Sequence, residues 1–367
     1  MKNQNKLDFI YVINHILQCS KKFENIKEAN KGTIILDGSA CNASCAYCFI
    51  NACKYEARKP SIDSQAIRGV LRETGDRTER VTIWAGEPLY NKEELLQIVD
   101  IVNSELPETK IELNTNGFLL SDWWADYFRD HNIYVNISHD GPGQKYRGTD
   151  FLESESHIKA IRKMVESGNL QNIETVIHKY NCSFPDIYSF FKKARDEKGI
   201  IPKDYDHLLV SPDLNCKIKL DFDYMDPKLI KYAYDNLFFL LKEGSQENYN
   251  TIYSGMSSQL ISALYNYISP KAEDIEDLLC KEFSDGRFSI DTLGRTRCIR
   301  GFFNRDEDKK IKENHINSCS KCDKIAMCPL SMCTAINVNE SLCKRIKDRI
   351  CTLEYVFNEV LSIWQNS

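Results

Sequence analysis

The chain has 367 residues, 42% hydrophobic and 28% charged, which is enough for one large domain with a smaller companion and a substantial core. Its formal net charge of −5 shows no global basic bias, which argues against a nucleic-acid binder that relies on phosphate contacts. No run approaches the ~18 apolar residues of a membrane span. The apolar stretch from Leu7 to Leu17 is interrupted by Asp8, Asn14 and His15 and lacks a small-residue cleavage site, so it does not read as a signal peptide. Fifteen cysteines in a chain of this kind point to metal rather than disulfides. The expectation is therefore a cytoplasmic, metal-binding protein with neither nucleic acid nor membrane as partner.

In chain order, residues 1–30 read as a helical extension. Short β-rich runs then alternate with longer amphipathic stretches. The predicted strands are Thr33–Leu36, Val81–Trp84, Ile111–Asn114, Ile133–Ser138, Ile173–His178 and His207–Ser211. Between them, helical periodicity covers Ser61–Glu73, Lys92–Asn103, Asp122–Asp130, Ser154–Val165 and Asp186–Asp196. Such alternation implies right-handed crossovers and a parallel sheet, an α/β domain over residues 31–225. Chemistry in parallel barrels sits at the C-terminal strand ends, so the loops that follow the strands are the places to search. Residues 226–270 read as a helical bridge. Residues 271–367 hold eight of the fifteen cysteines and read as a small cysteine-rich α+β domain.

The loop after the first strand carries Cys41, Cys45 and Cys48 in a C-x3-C-x2-C spacing. Three thiolates there can hold three irons of a 4Fe–4S cubane and leave the fourth iron open to a small molecule. A zinc site would pair such cysteines with a second Cys/His pair, and no histidine lies nearby. A disulfide would need an oxidising compartment. Three buried thiols are the remaining reading.

This cysteine loop resembles that of the radical S-adenosylmethionine (SAM) enzymes, and three later turns follow the same family's order. Ala85-Gly86-Glu87-Pro88 after the second strand is similar to the family's GGEP segment, with Ala85 in the first glycine position. Asn114-Thr115-Asn116-Gly117 follows the third strand, and Ser138-His139-Asp140-Gly141-Pro142 with Arg147 follows the fourth. The resemblance implies an open, partial (β/α)6 TIM-like barrel. It implies that SAM is held by Tyr47, Gly86, Glu87, Asn116, Ser138, Asp140 and Arg147. Ser138 and Arg147 take the carboxylate and ribose region, and Tyr47 lines the adenine. An acceptor-rich edge at Gly86 and Glu87 suits an ammonium, and an arginine fork suits a carboxylate. Ala85 departs mildly from the pattern, since a methyl is tolerated there unless the position needs a positive φ. His139 and His178 are weak catalytic candidates; a histidine in such a strand is more often structural.

The cysteine-rich end resembles the SPASM domain, which binds two auxiliary 4Fe–4S clusters. Phe288–Arg295 reads as a β-hairpin that positions Cys298, with Asp291 on it as a further candidate base. By resemblance, Cys280, Cys298 and Cys333 hold the inner cluster, with Cys216 or substrate as its fourth ligand. Cys319, Cys322, Cys328 and Cys343 hold the outer one, with Cys351 as the alternative to Cys343. Two spacings depart from the family pattern by one residue each, between Gly294 and Cys298 and between Cys328 and Cys333. A zinc ribbon is the competing reading of this segment.

The resemblance implies reductive cleavage of SAM to a 5′-deoxyadenosyl radical and oxidation of a precursor peptide, as a C–C or thioether side-chain crosslink in a ribosomally made peptide. It also implies an electron donor such as flavodoxin or ferredoxin. The roughly thirty residues before the first strand are too few for a winged leader-binding domain, so leader recognition would fall to the barrel, the metal domain or a separate protein. Alternatives are dehydrogenation or epimerisation of a small molecule, formylglycine formation as in sulfatase maturases, and a metal or electron-transfer scaffold without catalysis. The maturases carry an aspartate after the hairpin cysteine, where this chain has Ile299.

Overall fold

The structure, a computed structural model, describes residues 31–36, 41–48, 62–74, 78–176, 180–181, 183–200, 207–210, 288–295 and 344. The α/β reading holds. Strands β1 (Lys31–Ile35), β2 (Arg80–Trp84), β3 (Lys110–Thr115), β4 (Ile133–Ser138), β5 (Leu170–Val176), β6 (His207–Val210) and β7 (Phe288–Asp291) form one parallel sheet in the order β6-β5-β4-β3-β2-β1-β7. Helices α1 (Ser64–Thr74), α2 (Lys92–Glu105), α3 (Asp122–Asp130), α4 (Glu155–Glu166) and α5 (Phe184–Lys198) lie between successive strands. All six expected strands are present, and the sheet is that of an open α/β barrel.

The helix boundaries follow local chemistry. Asp63 accepts the Ala66 N–H at 3.0 Å ahead of α1, and Ser121 caps α3 by accepting the Trp124 N–H at 3.4 Å. Each such cap contributes about 1 kcal/mol. Helix α5 ends at Gly199, whose left-handed φ of 63° lets its N–H reach the Arg195 carbonyl.

The core is the layer between helices and sheet. Val81, Ile83, Ile111, Leu113, Ile133, Val135, Ile137 and Ile173 meet Ile67, Leu71, Leu95, Ile98, Phe128, Ile161, Met164 and Phe191. Along each strand the alternate residues face the other way: Thr33, Thr82, Glu112, Asn114, Asn136, Asn172 and Glu174 line the second, concave face. The sheet is thus oily outside and polar inside, which leaves the concave face free for chemistry.

The Phe288–Arg295 segment, expected as a hairpin, also joins the sheet; its Asp291 N–H donates to the Arg295 carbonyl at 2.9 Å, and the residues that would continue a second strand lie outside the described ones. The segment's first four residues form β7, which pairs in parallel with the open edge of β1, and a tight turn follows in which the Gly294 N–H donates to the Asp291 carbonyl. Gly32 explains the fit. A Cβ there would lie 2.1 Å from the tip of the Phe288 ring, so a larger residue would require the ring to shift for β7 to pack against β1.

The N-terminal extension, the helical bridge and, apart from Lys344, the rest of the cysteine-rich segment lie outside the described residues. So do His178, Cys216, Cys280, Cys298, Cys319, Cys322, Cys328, Cys333, Cys343 and Cys351.

Candidate active site

The C-terminal ends of β1 to β5 converge through loops that bind one another. The cysteine loop is anchored by the Ala46 N–H, which donates to the Tyr146 carbonyl at 2.8 Å, and by a turn in which the Cys48 N–H donates to the Cys45 carbonyl at 3.1 Å. Cys41, Cys45 and Cys48 are all free thiols, with Cys41 exposed and the other two half-buried. Donors surround the sulfurs. The Ala43 N–H lies 3.4 Å and the Asn116 amide 3.7 Å from Cys41 Sγ, and Arg147 Nη1 lies 3.9 Å from Cys45 Sγ.

After β2 the chain turns through Ala85 at φ 90° and Gly86 at φ 58°. The proviso on Ala85 is therefore met: the position does require a positive φ. The turn sends Glu87 back beneath the loop after β3. Glu87 is buried, and its carboxylate accepts from Thr115 Oγ1 at 2.6 Å, the Asn116 N–H at 2.6 Å and the Leu89 N–H at 3.1 Å. Burial pushes its pKa up to about 7 against these three donors, which favour the ionised form. Glu87 thus braces β2 to β3 and keeps one acceptor direction on Oε2 for a cation. Asn116 reaches the cysteine loop, donating to Asn42 Oδ1 at 2.8 Å.

Asp140, after β4, is the hub of the second brace. Its side chain is fully buried. Oδ2 accepts from the Tyr47 hydroxyl, while Oδ1 accepts the Val176 N–H at 3.0 Å and Arg147 Nη2 at 3.3 Å. One carboxylate therefore ties together the cysteine loop, the β4 loop and the end of β5. The Arg147 guanidinium also sits 5.5 Å from the Tyr47 ring centroid. Burial raises the pKa of Cys41 and raises that of Cys45 to about 11, Arg147 pulling the latter back only in part.

The two described catalytic candidates are both engaged. His139 is fully buried; Nδ1 accepts the Gly141 N–H at 2.9 Å and Nε2 faces Asp150 Oδ1 at 3.0 Å. Its ring packs on Phe151, Phe190 and Phe191. Asp291 Oδ1 accepts from the Leu293 and Arg295 N–H groups at 3.0 Å, and Oδ2 pairs with Arg295 Nη2 at 2.7 Å. Both arrangements stabilise local turns. Sequence reasoning missed Thr115 as a partner of Glu87 and missed Asn181, which donates to the Asp140 carbonyl at 2.9 Å. Thr115 was legible as a hydroxyl inside the Asn-Thr-Asn-Gly turn; Asn181, forty residues downstream, carried no signal.

Residues 35–190 match the family model described as "Radical SAM superfamily". This stretch, less than half of the chain, is similar to radical SAM domains. The chain is 34% identical over 88 residues to a serine-type anaerobic sulfatase-maturating enzyme of Bacteroides thetaiotaomicron, covering 22% of this chain and 21% of that protein. The chain is 29% identical over 175 residues to a cysteine-type anaerobic sulfatase-maturating enzyme of Clostridium novyi, covering 42% of this chain and 46% of that protein. The matches thus span less than half the length of either curated relative. Among solved structures, native anSMEcpe with bound AdoMet superposes with a TM-score of 0.58 at 18% identity, over 92% of this chain and 99% of that one. Streptococcus suis SuiB bound to precursor peptide SuiA gives a TM-score of 0.51 at 18% identity, over 76% of this chain and 61% of that one. These two likenesses concern the fold.

A radical SAM domain would hold a 4Fe–4S cluster and SAM, and the residues present fit both. Among the described residues no three His, Cys, Asp or Glu side chains converge on a single metal ion. A cubane instead takes one thiolate per iron, as a spread C-x3-C-x2-C loop can supply. The N–H donors around Cys41 and Cys45 suit an anionic cluster. Buried Arg147 Nε has no hydrogen-bond partner among the described residues, an open donor of the kind a SAM carboxylate would fill. Among the described residues no helix is long and apolar enough to cross a membrane.

Proposed function

We propose that this chain is a radical SAM enzyme that oxidises a precursor peptide, joining two of its side chains through a C–C or thioether bond. The observation that carries the reading is the interlock of the first-strand thiols with the loops after β3 and β4 through Asn116, Asp140 and Arg147. When bound, the cluster and SAM supply a 5′-deoxyadenosyl radical that takes hydrogen from an unactivated carbon.

The chain's own residues do the rest. Cys41, Cys45 and Cys48 hold three irons, and Asn116, Arg147 and the Ala43 N–H offset charge on the sulfurs. Backbone carbonyls at Gly86 and the remaining Oε2 direction of Glu87 receive the SAM ammonium. Arg147, held by Asp140, directs Nε at the SAM carboxylate, and Ser138 lies at the same strand level. Tyr47 lies against the adenine side. Cys280, Cys298, Cys333, Cys319, Cys322, Cys328 and Cys343 would hold two auxiliary clusters, which would supply electron-accepting capacity for a net oxidation. A flavodoxin- or ferredoxin-type donor supplies the initial electron.

Formylglycine formation is the second reading, favoured by the two curated relatives. Against it stand Ile299 at the position where the maturases carry an aspartate, and the pairing of Asp291 with Arg295.

The test is anaerobic incubation of the reconstituted chain with SAM, dithionite and candidate peptides, read by mass spectrometry and hydrazide capture. A crosslink removes two hydrogens and leaves no aldehyde. Formylglycine is captured by the hydrazide. Failure of the wild-type protein to form 5′-deoxyadenosine, or formation that survives Cys45→Ala, defeats the radical SAM assignment itself.

A further inference from the structure

The concave face carries polar side chains that the SAM-binding loops do not use. Register pairs place Asn114 beside Asn136, Asn136 beside Asn172, and Ser138 beside Glu174. Register partners in a parallel sheet share a face. The asparagines form a ladder across β3, β4 and β5: Asn136 Nδ2 donates to Asn114 Oδ1 at 2.8 Å, and Asn172 Nδ2 donates to Asn136 Oδ1 at 3.1 Å. Glu174 stands two residues further along β5, at the loop end of this ladder.

Three other carboxylates of this region are paired within the chain, and Glu87 is held by three neutral donors. Glu112 pairs with Arg80 at 2.8 Å, Asp140 with Arg147 at 3.3 Å, and Asp291 with Arg295 at 2.7 Å. The Glu174 carboxylate makes no hydrogen bond or ion pair among the described residues. Burial raises its pKa, the nearby Arg147 acts in the opposite direction, and Glu112 adds to the rise. The side chain is nevertheless only half-buried by area, so it is enclosed by protein yet open toward the concave face. A carboxylate in such a place gains strongly when a cation enters beside it, because little water competes.

We propose that Glu174 is a substrate-recognition residue that binds a cationic side chain, an alkylammonium or a guanidinium, of the molecule admitted to the concave face. The inference rests on the reading that a peptide is acted on there. It deepens that reading by specifying a lysine or arginine in the bound segment. SAM carries cationic groups too, so the test must separate cosubstrate from substrate.

The experiment uses the full chain, anaerobically reconstituted and loaded with SAM. Three probes are titrated by ligand-observed NMR: N-acetyl-lysinamide, N-acetyl-argininamide and the neutral N-acetyl-norleucinamide. The cationic probes should bind about tenfold more tightly than the neutral one, the ratio expected of one charge-assisted contact. Glu174→Gln should erase that preference and leave the SAM dissociation constant, measured separately, within about twofold of wild type. Glu174→Asp keeps the charge and should retain the preference, which distinguishes recognition from packing. Equal binding of the three probes to wild type overturns the proposal, as does a preference that persists in Glu174→Gln or vanishes in folded Glu174→Asp. A Glu174→Gln protein that loses SAM affinity assigns the carboxylate to the cosubstrate and overturns it as well. Formation of 5′-deoxyadenosine by wild type is scored independently, so failure of the radical SAM reading is distinguishable from failure of this one.

Discussion

Ala85 offers a sharp test, because its substitution by glycine should raise stability at a buried site. Its φ of 90° lies where an L-residue is strained, at a cost of about 1–3 kcal/mol. Glycine relieves that strain but loses about 0.4–1 kcal/mol more backbone freedom on folding. The Ala85 methyl is 3% exposed, so removing it forfeits about 0.8 kcal/mol of burial. The balance for Ala85→Gly is a gain of about 0.5 kcal/mol. Ala85→Val adds a branched side chain at the same φ and inside a packed core, so it should cost about 2 kcal/mol or more. Urea unfolding of the metal-free chain, followed by tryptophan fluorescence, gives the ordering from the midpoints at constant slope. A glycine variant less stable than wild type by more than about 1 kcal/mol, or a valine variant as stable as wild type, would refute the claim of strain at this turn.

Further outcomes follow from the same geometry. Asp140→Ala leaves Arg147 buried without its partner and should destabilise the domain by about 3–5 kcal/mol; Asp140→Asn should cost less, and equal losses on thermal unfolding would contradict an ionic role for the hub. Glu87 has a folded pKa raised to about 7, above its unfolded value, so its contribution to stability is complete below pH ~4.5 and is lost as pH climbs through 7. That loss is about 3 kcal/mol, and Glu87→Gln should abolish it; identical urea midpoints as a function of pH for both proteins would be inconsistent with this. Gly32→Ala should detach β7 from β1, read as fast hydrogen exchange at Phe288–Asp291, while unchanged protection there would show that the ring can shift aside. Leu113→Ala, in the fully buried layer, should cost about 2–5 kcal/mol by the same unfolding assay, and a loss under about 1 kcal/mol would mean the layer is looser than it looks.

The strands were legible in the sequence because a sheet covered by helices on one face demands β-branched residues at alternate positions, and runs such as Val81–Trp84 and Ile133–Ser138 satisfy that locally. Pairing between distant segments was not legible. Phe288–Asp291 looks like half of a hairpin because its nearest neighbours in sequence include Gly294. Its partner within the sheet, β1, lies some 250 residues away and is signalled only by Gly32, whose missing side chain means nothing until the Phe288 ring is placed over it. The cysteine loop and the turns after β2, β3 and β4 were found by composition and order, yet their division of labour was not.

Asp140 illustrates why. A conspicuous carboxylate in a candidate cofactor loop invites assignment to the ligand, but the register of β4 with β5 brings the Val176 N–H beneath it, and Tyr47 and Arg147 take its other lone pairs. Among the described residues the aspartate fixes the direction in which Arg147 points, with Nε left without a partner there. Glu87 does the equivalent for the β2 and β3 loops through Thr115 and Asn116. Two buried carboxylates thus hold the loops of the site to one another before any ligand arrives. A site organised in this way spends less of its binding energy on ordering side chains, which is the physical advantage of building a reactive centre at the ends of parallel strands rather than on a single loop.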